Sequence, residues 1–246
     1  MKQIIPFLCF LAGINIVNAQ DSIQLQRKNT IKLDVTSHYL YRNALILSFE
    51  RTVRSNQSFS ITAGYQEFPR SSRLGENVFV KDDRKRNGSK FGAEYRFYLK
   101  KENKYQAPRG VYIGPYFTTH SFKNERIIQV DNNGTLEEAI LNSKLVIFNI
   151  GFQLGYQFVL NNRWTIDLVF VGPSISHYRY KIDLNSASTF DKEDIQNEII
   201  LDLIDRFPLL DEVITDKEAT ERGRLDTWSY GYRYQLLVGY HFGRKK

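Results

Sequence analysis

Cysteine is almost absent from this chain: the one residue, Cys9, lies close to its start. Residues 20–246 therefore hold no disulfide, no thiolate metal ligand and no cysteine nucleophile, so stability has to come from the fold itself. Methionine is limited to Met1 and proline to 6 residues. Past residue 19 there is no run of 18 or more apolar residues, which excludes a membrane-spanning helix in that part of the chain. It does not exclude crossing by strands, because only half of a barrel's strand residues face lipid. Marks of chemistry are missing as well. His38, His120, His177 and His241 are scattered, with no HExxH pair and no other metal-ligand spacing. No glycine-rich phosphate loop appears, and no serine–histidine pair comes with an orienting group and an oxyanion hole. The expectation is a protein without catalytic residues, metal or cofactor, and not an enzyme.

What is present begins with a leader. Lys2 supplies a positive charge, Ile4 to Val17 is apolar, and Val17-Asn18-Ala19 places acceptable residues before a cut at Gln20. That is the layout of a secretory signal peptide over 1–19, with the remainder, 20–246, as the exported unit. The residues before Cys9 are Phe7 and Leu8 rather than small ones, which speaks against lipid anchoring. The formal charge of +7 could suggest nucleic acid, but export argues against that partner.

The main pattern is period-two alternation. Between Ser58 and Gln66, Phe59, Ile61, Ala63 and Tyr65 share one face. Between Lys90 and Lys100, Phe91, Ala93, Tyr95, Phe97 and Leu99 do so, and between Asn149 and Phe158, Ile150, Phe152, Leu154, Tyr156 and Phe158. Trp228, Tyr230, Tyr232, Tyr234, Leu236, Val238, Tyr240 and Phe242 repeat it near the end. A helix, with its period of 3.6, would scatter these residues. The pattern predicts strands over 31–40, 43–53, 58–68, 89–100, 110–123, 144–160, 163–180 and 225–242. Short turns follow the second, fourth and sixth strands, and long connections over 69–88, 124–143 and 181–224 follow the third, fifth and seventh. Inside the last, Ile195, Ile199, Leu203 and Phe207 form a helical stripe, with Ser188 and Asp191 spaced as a capping box and Pro208 as a stop.

The face opposite the aromatics is Gly, Ser, Thr, Asn, Gln and a few charges. Small residues suit the crowded interior of a narrow barrel. Glu50, Glu94, Arg96, Asp167 and Arg233 fall on it, and buried charges have to be paired, so they are expected to form a structural network. Trp164, Trp228, Tyr230 and Tyr240 sit near strand ends, where interfacial girdles occur. The connections differ in charge. Ala187 to Gly223 holds 11 acidic and 4 basic residues, whereas Pro69 to Lys90 holds 7 basic and 3 acidic, with Lys81, Arg84, Lys85 and Arg86 forming a basic outer loop.

The leader end Val17-Asn18-Ala19-Gln20, the segments Phe91 to Leu99 and Gly110 to Tyr116, Gly155-Tyr156-Gln157-Phe158 with Trp164 after the turn, and Gly239-Tyr240-His241-Phe242 are spread over most of the chain. Together they resemble the small outer-membrane barrels common in Bacteroidota, among them a family described only as a domain of unknown function. The resemblance implies fold and location and supplies no catalytic residue.

The expected fold is thus all-β: a single closed antiparallel up-and-down barrel of about eight strands, with an amphipathic helix in the last outer loop, 181–224. The expected location is the outer membrane. The leading expectation for function is a non-enzymatic surface scaffold or binding protein that acts through its outer loops. Its partners would be outer-membrane lipid, lipopolysaccharide through the basic loop, and the barrel assembly machinery. A narrow channel, a lipid-active enzyme and a soluble lipocalin-like barrel are the alternatives.

Overall fold

The computed structural model describes residues 27–68, 74–132, 134–185, 191–205 and 223–243; the expected leader, 1–19, lies outside them. The elements are β1 (Asn29–Asp34), α1 (Val35–Leu40), β2 (Arg42–Arg54), β3 (Gln57–Glu67), β4 (Val78–Tyr98), β5 (Gly110–Asn132), β6 (Thr135–Leu160), β7 (Trp164–Asn185), α2 (Lys192–Asp205) and β8 (Arg224–Phe242). Each strand pairs antiparallel with the next, and β8 returns to pair with β1, so the sheet is a closed eight-stranded barrel. Closure leaves no open edge where all eight strands pair. At one end the β2–β3 and β6–β7 connections are short; in the latter Asn161 and Asn162 both adopt positive φ, 48° and 54°, as the central residues of a type I′ turn closed by the Arg163 N–H donating to the Leu160 carbonyl at 3.0 Å.

The strands are unequal. β1 has 6 residues, whereas β5, β6 and β7 have 23, 26 and 22. The long strands rise well past the rest into an extended end. Two segments expected to be outer loops are therefore mostly strand. β4 begins at Val78, inside 69–88, and β5 and β6 pair through 124–143 as far as Asn132 and Thr135. Lys81, Arg84, Lys85 and Arg86 stand on a strand, not a loop.

The reason these segments read as loops is that the apolar residues change sides while the alternation continues. On β6 the outward face runs Phe158, Tyr156, Leu154, Phe152, Ile150 and Phe148, then passes through Val146 to Lys144 and Asn142. Its inward face runs Gln157, Gly155, Gln153, Gly151 and Asn149, then Ile147, Leu145 and Leu141. On β7 the inward set changes from Asp167, Ser174 and Ser176 to Tyr180, Ile182 and Leu184, and the outward set from Phe170 and Ile175 to Lys181 and Asp183. One part of the barrel is polar inside and apolar outside; the extended end is the reverse.

The first strand is also shorter than the expected 31–40. At Asp34 the chain leaves the sheet and turns into α1, because the Asp34 carboxylate caps the helix. It accepts from the Ser37 N–H at 2.9 Å and from the Ser37 hydroxyl at 2.5 Å.

Candidate functional site

The polar half of the interior is filled from all sides by long side chains that the alternation turns inward. Arg96 on β4 is its centre. Its Nε donates to Glu94 at 2.8 Å and its Nη1 to Asp167 at 2.6 Å, and its guanidinium lies 4.2 Å from the Tyr112 ring centre. A second guanidinium nitrogen also bonds Glu94. Arg233 reaches the other Glu94 oxygen at 2.6 Å. Lys32 bridges Glu50 at 2.6 Å and Asp167 at 2.5 Å. Gln157 accepts from Lys32 and Arg96, Gln153 donates to Glu94, and the hydroxyls of Tyr98 and Tyr112 donate to Glu50 and Asp167. Lys90 and Asp34 form a further pair at 2.9 Å. Four cations thus face four carboxylates, all but Arg233 buried, and the set is neutral in sum. Pairing of opposite charges, with hydrogen bonds from neighbouring side chains, is the condition for holding charge in an interior. Inward glycines make room for it: a Cβ at Gly155 would collide with the Tyr112 ring.

The structure brings the five expected lumen charges, Glu50, Glu94, Arg96, Asp167 and Arg233, into one cluster. It adds Lys32, Asp34, Lys90 and the two tyrosines. Lys32 and Asp34 alternate with outward Ile31 and Leu33, so the parity of the first strand places them on the lumen side.

The extended end is closed differently. Leu74, Val78, Phe122, Ile128, Val130, Leu141, Ile182, Leu184 and Leu225 build an apolar core into which α2 inserts Ile195, Ile199 and Ile200. Asp191 begins the helix, its carboxylate accepting from the Glu193 N–H at 2.9 Å. Ser188 and Phe207 lie outside the described residues, as does the Leu203 side chain. Of the expected stripe, Ile195 and Ile199 are buried, and Ile200 joins them. Glu198 on α2 accepts from the Asn77 N–H at 2.8 Å. The basic residues of β4 are satisfied elsewhere among the described residues. Arg84 and Lys85 approach Glu125 at 3.8 and 3.6 Å, and Arg86 approaches Asp83 at 3.5 Å. Lys81 bonds Glu138 and thereby holds that exposed carboxyl below its ordinary range, so the pair persists until the pH falls under that range.

Between plug and cap is a cavity of about 300 Å³, whose walls include Tyr41, Lys90, Tyr116, His120 and Tyr178. Five consecutive residues, Gly231 to Gln235, also line it. Successive strand residues point to opposite faces, so the cavity reaches the edge of β8. That edge is free of β1, whose pairing stops at Asp34–Leu237, and α1 stands beside it, with the Thr36 hydroxyl accepting from the Leu236 N–H at 2.8 Å. Aromatic walls with a lysine and an arginine suit a small molecule that has both an apolar and a polar part. Among the described residues no group of His, Cys, Asp and Glu could hold a metal ion.

A closed antiparallel barrel with a salt-bridged polar lumen and an apolar outer wall is the class of protein that this geometry defines. The chain belongs to the family described as Protein of unknown function (DUF3575), which matches residues 6–197. No curated protein matches it.

Proposed function

We propose that the protein is an outer-membrane β-barrel that does not conduct and is not an enzyme: a membrane-seated scaffold that presents its extended end outside the cell. The observation that carries this reading is the exchange of apolar and polar faces along β6 and β7. A strand that faces lipid on its outside must be apolar there, and the same strand above the membrane must be polar there and bury its apolar residues inward. A soluble barrel has no reason to make that exchange. The dimensions agree. Trp228 and Tyr240 are twelve residues apart on β8; at ~3.3 Å per residue and a tilt of ~40° that is roughly 30 Å, an apolar band with an aromatic at each rim.

In this reading the short-turn end faces the periplasm, the leader over 1–19 directs export, and the barrel assembly machinery inserts the product. The narrow-channel alternative is disfavoured, because an ion would have to pass both the Arg96 network and the α2 cap. Purified protein in planar bilayers is expected to give no single-channel steps at any applied voltage. Stable steps from the wild-type protein would overturn the sealed-lumen reading and favour the channel.

A further inference from the structure

We propose that an outward row of cations, Lys123, Lys144, Lys181 and Arg224, binds the phosphates of a lipopolysaccharide-type glycolipid. This rests on the outer-membrane reading above and gives it a specific lipid partner.

The row is set by register. Lys123 on β5 is opposite Lys144 on β6, Lys144 opposite Lys181 on β7, and Lys181 opposite Arg224 on β8. All four are exposed. Neighbouring strands are ~4.8 Å apart, so the four charges stand side by side over roughly 15 Å. Like charges directly opposite one another destabilise a sheet, which leaves the row in need of anions. Among the described residues only Lys181 has one, Asp183 at 3.0 Å. Asp226, one step below Arg224, is already held by Arg179 at 3.0 Å and His177 at 2.5 Å. A groove of about 380 Å³ runs along the same place; its walls include Lys123 and Lys144, together with Lys85 and Lys181, which are paired with the wall carboxylates Glu125 and Asp183.

Height decides what the anion is attached to. Two register steps below the row the outward residues are Phe148, His177 and Trp228, the upper rim of the apolar wall. The row is therefore the first full line of charge above the apolar band, and a ligand resting on both must carry phosphates directly over acyl chains. Several closely spaced cations fit a headgroup with more than one phosphate better than a single-phosphate lipid. At the other rim Arg51 stands between Asn29 and Phe59 in register, with no cation opposite it on either side. Nor do the β4 cations Lys81, Arg84, Lys85 and Arg86 compete, since each already has a carboxylate within 4 Å.

The test uses the purified full-length mature protein in mild detergent, its folding checked by the heat-dependent gel shift. It is titrated with a rough-type lipopolysaccharide, the same lipid after enzymatic removal of its phosphates, and phosphatidylglycerol. The phosphorylated glycolipid should bind at least about tenfold tighter than the other two, and the preference should shrink with added salt. K123T/K144T/K181T should abolish the preference, K144T alone should reduce it, and R51T, at the other rim, should leave it within about twofold. Equal affinity for all three lipids, or an unchanged preference in the folded triple variant, overturns the row as a site. Phosphatidylglycerol binding as tightly as the glycolipid overturns the ligand class. A wild-type protein that never enters lipid would overturn the outer-membrane reading as well, whereas one that inserts but does not discriminate overturns only this inference.

Discussion

Arg96→Ala should cost about 3–5 kcal/mol of stability, the usual loss when one partner of a buried ion network is removed. That is a large share of the roughly 5–15 kcal/mol by which a domain is stable. Arg96 holds Glu94 and Asp167 together, and among the described residues no other side chain hydrogen-bonds both. After its loss Glu94 keeps Arg233 and Gln153, and Asp167 keeps Lys32 and Tyr112, but the carboxylates outnumber the cations in a buried cluster. Gln157→Ala, which removes an acceptor for Lys32 and Arg96, should cost less, about 1.5–3 kcal/mol. Ser48→Ala, which breaks a neutral bond to Ser60 at 2.8 Å, should cost about 1 kcal/mol. Arg96→Lys keeps the charge and loses the fork, so it should fall between the extremes. Urea unfolding of protein folded into vesicles gives the order. Arg96→Ala no worse than Ser48→Ala would mean that the network is not what closes the lumen.

The second large effect is expected at the cap. Ile199 and Ile200 are 1% and 0% exposed, seated among the inward apolar residues of β4 to β8. Truncating a buried isoleucine costs about 2–5 kcal/mol, and serine adds a buried hydroxyl. A helix held by few contacts opens locally at an energy below that of global unfolding. The double variant I199S/I200S should therefore be cut by protease within 192–205 at least about tenfold faster than wild type, with the heat-dependent gel shift intact. Neutralising Arg84 and Lys85 removes only exposed pairs, worth about 0–1 kcal/mol each, and should change cleavage little. Deleting 187–223 should leave a folded barrel. Equal cleavage of the wild type and the double variant would show that α2 is not held by its isoleucines.

Alternation alone located every strand that faces outward with apolar residues, and the turn at Asn161-Asn162 was legible from its residue types. The extended end was not. There the same alternation carries charge outward and leucine inward, as at Lys144 and Leu145, and the run Asp82-Asp83-Arg84-Lys85-Arg86 on β4 reads as a solvated loop when its partner strand is unknown. The helical turn at Val35–Leu40 was hidden for a related reason: Ile31 and Leu33 start a strand correctly, and only the Asp34 cap, acting on Ser37, ends it. The lumen charges could be found because parity sorts them to one side of each strand. The cationic row could not, because Lys123, Lys144, Lys181 and Arg224 have no regular spacing in the chain and become neighbours only through register. Cross-strand partners are a property of turns, bulges and strand ends taken together.

Whether the apolar wall meets lipid is decided by cell fractionation followed by unheated and heated gels of the same sample. The mature protein should sediment with the outer membrane, be released only by detergent, and migrate as a compact band that shifts on boiling. A protein recovered in the soluble periplasmic fraction without detergent would contradict it.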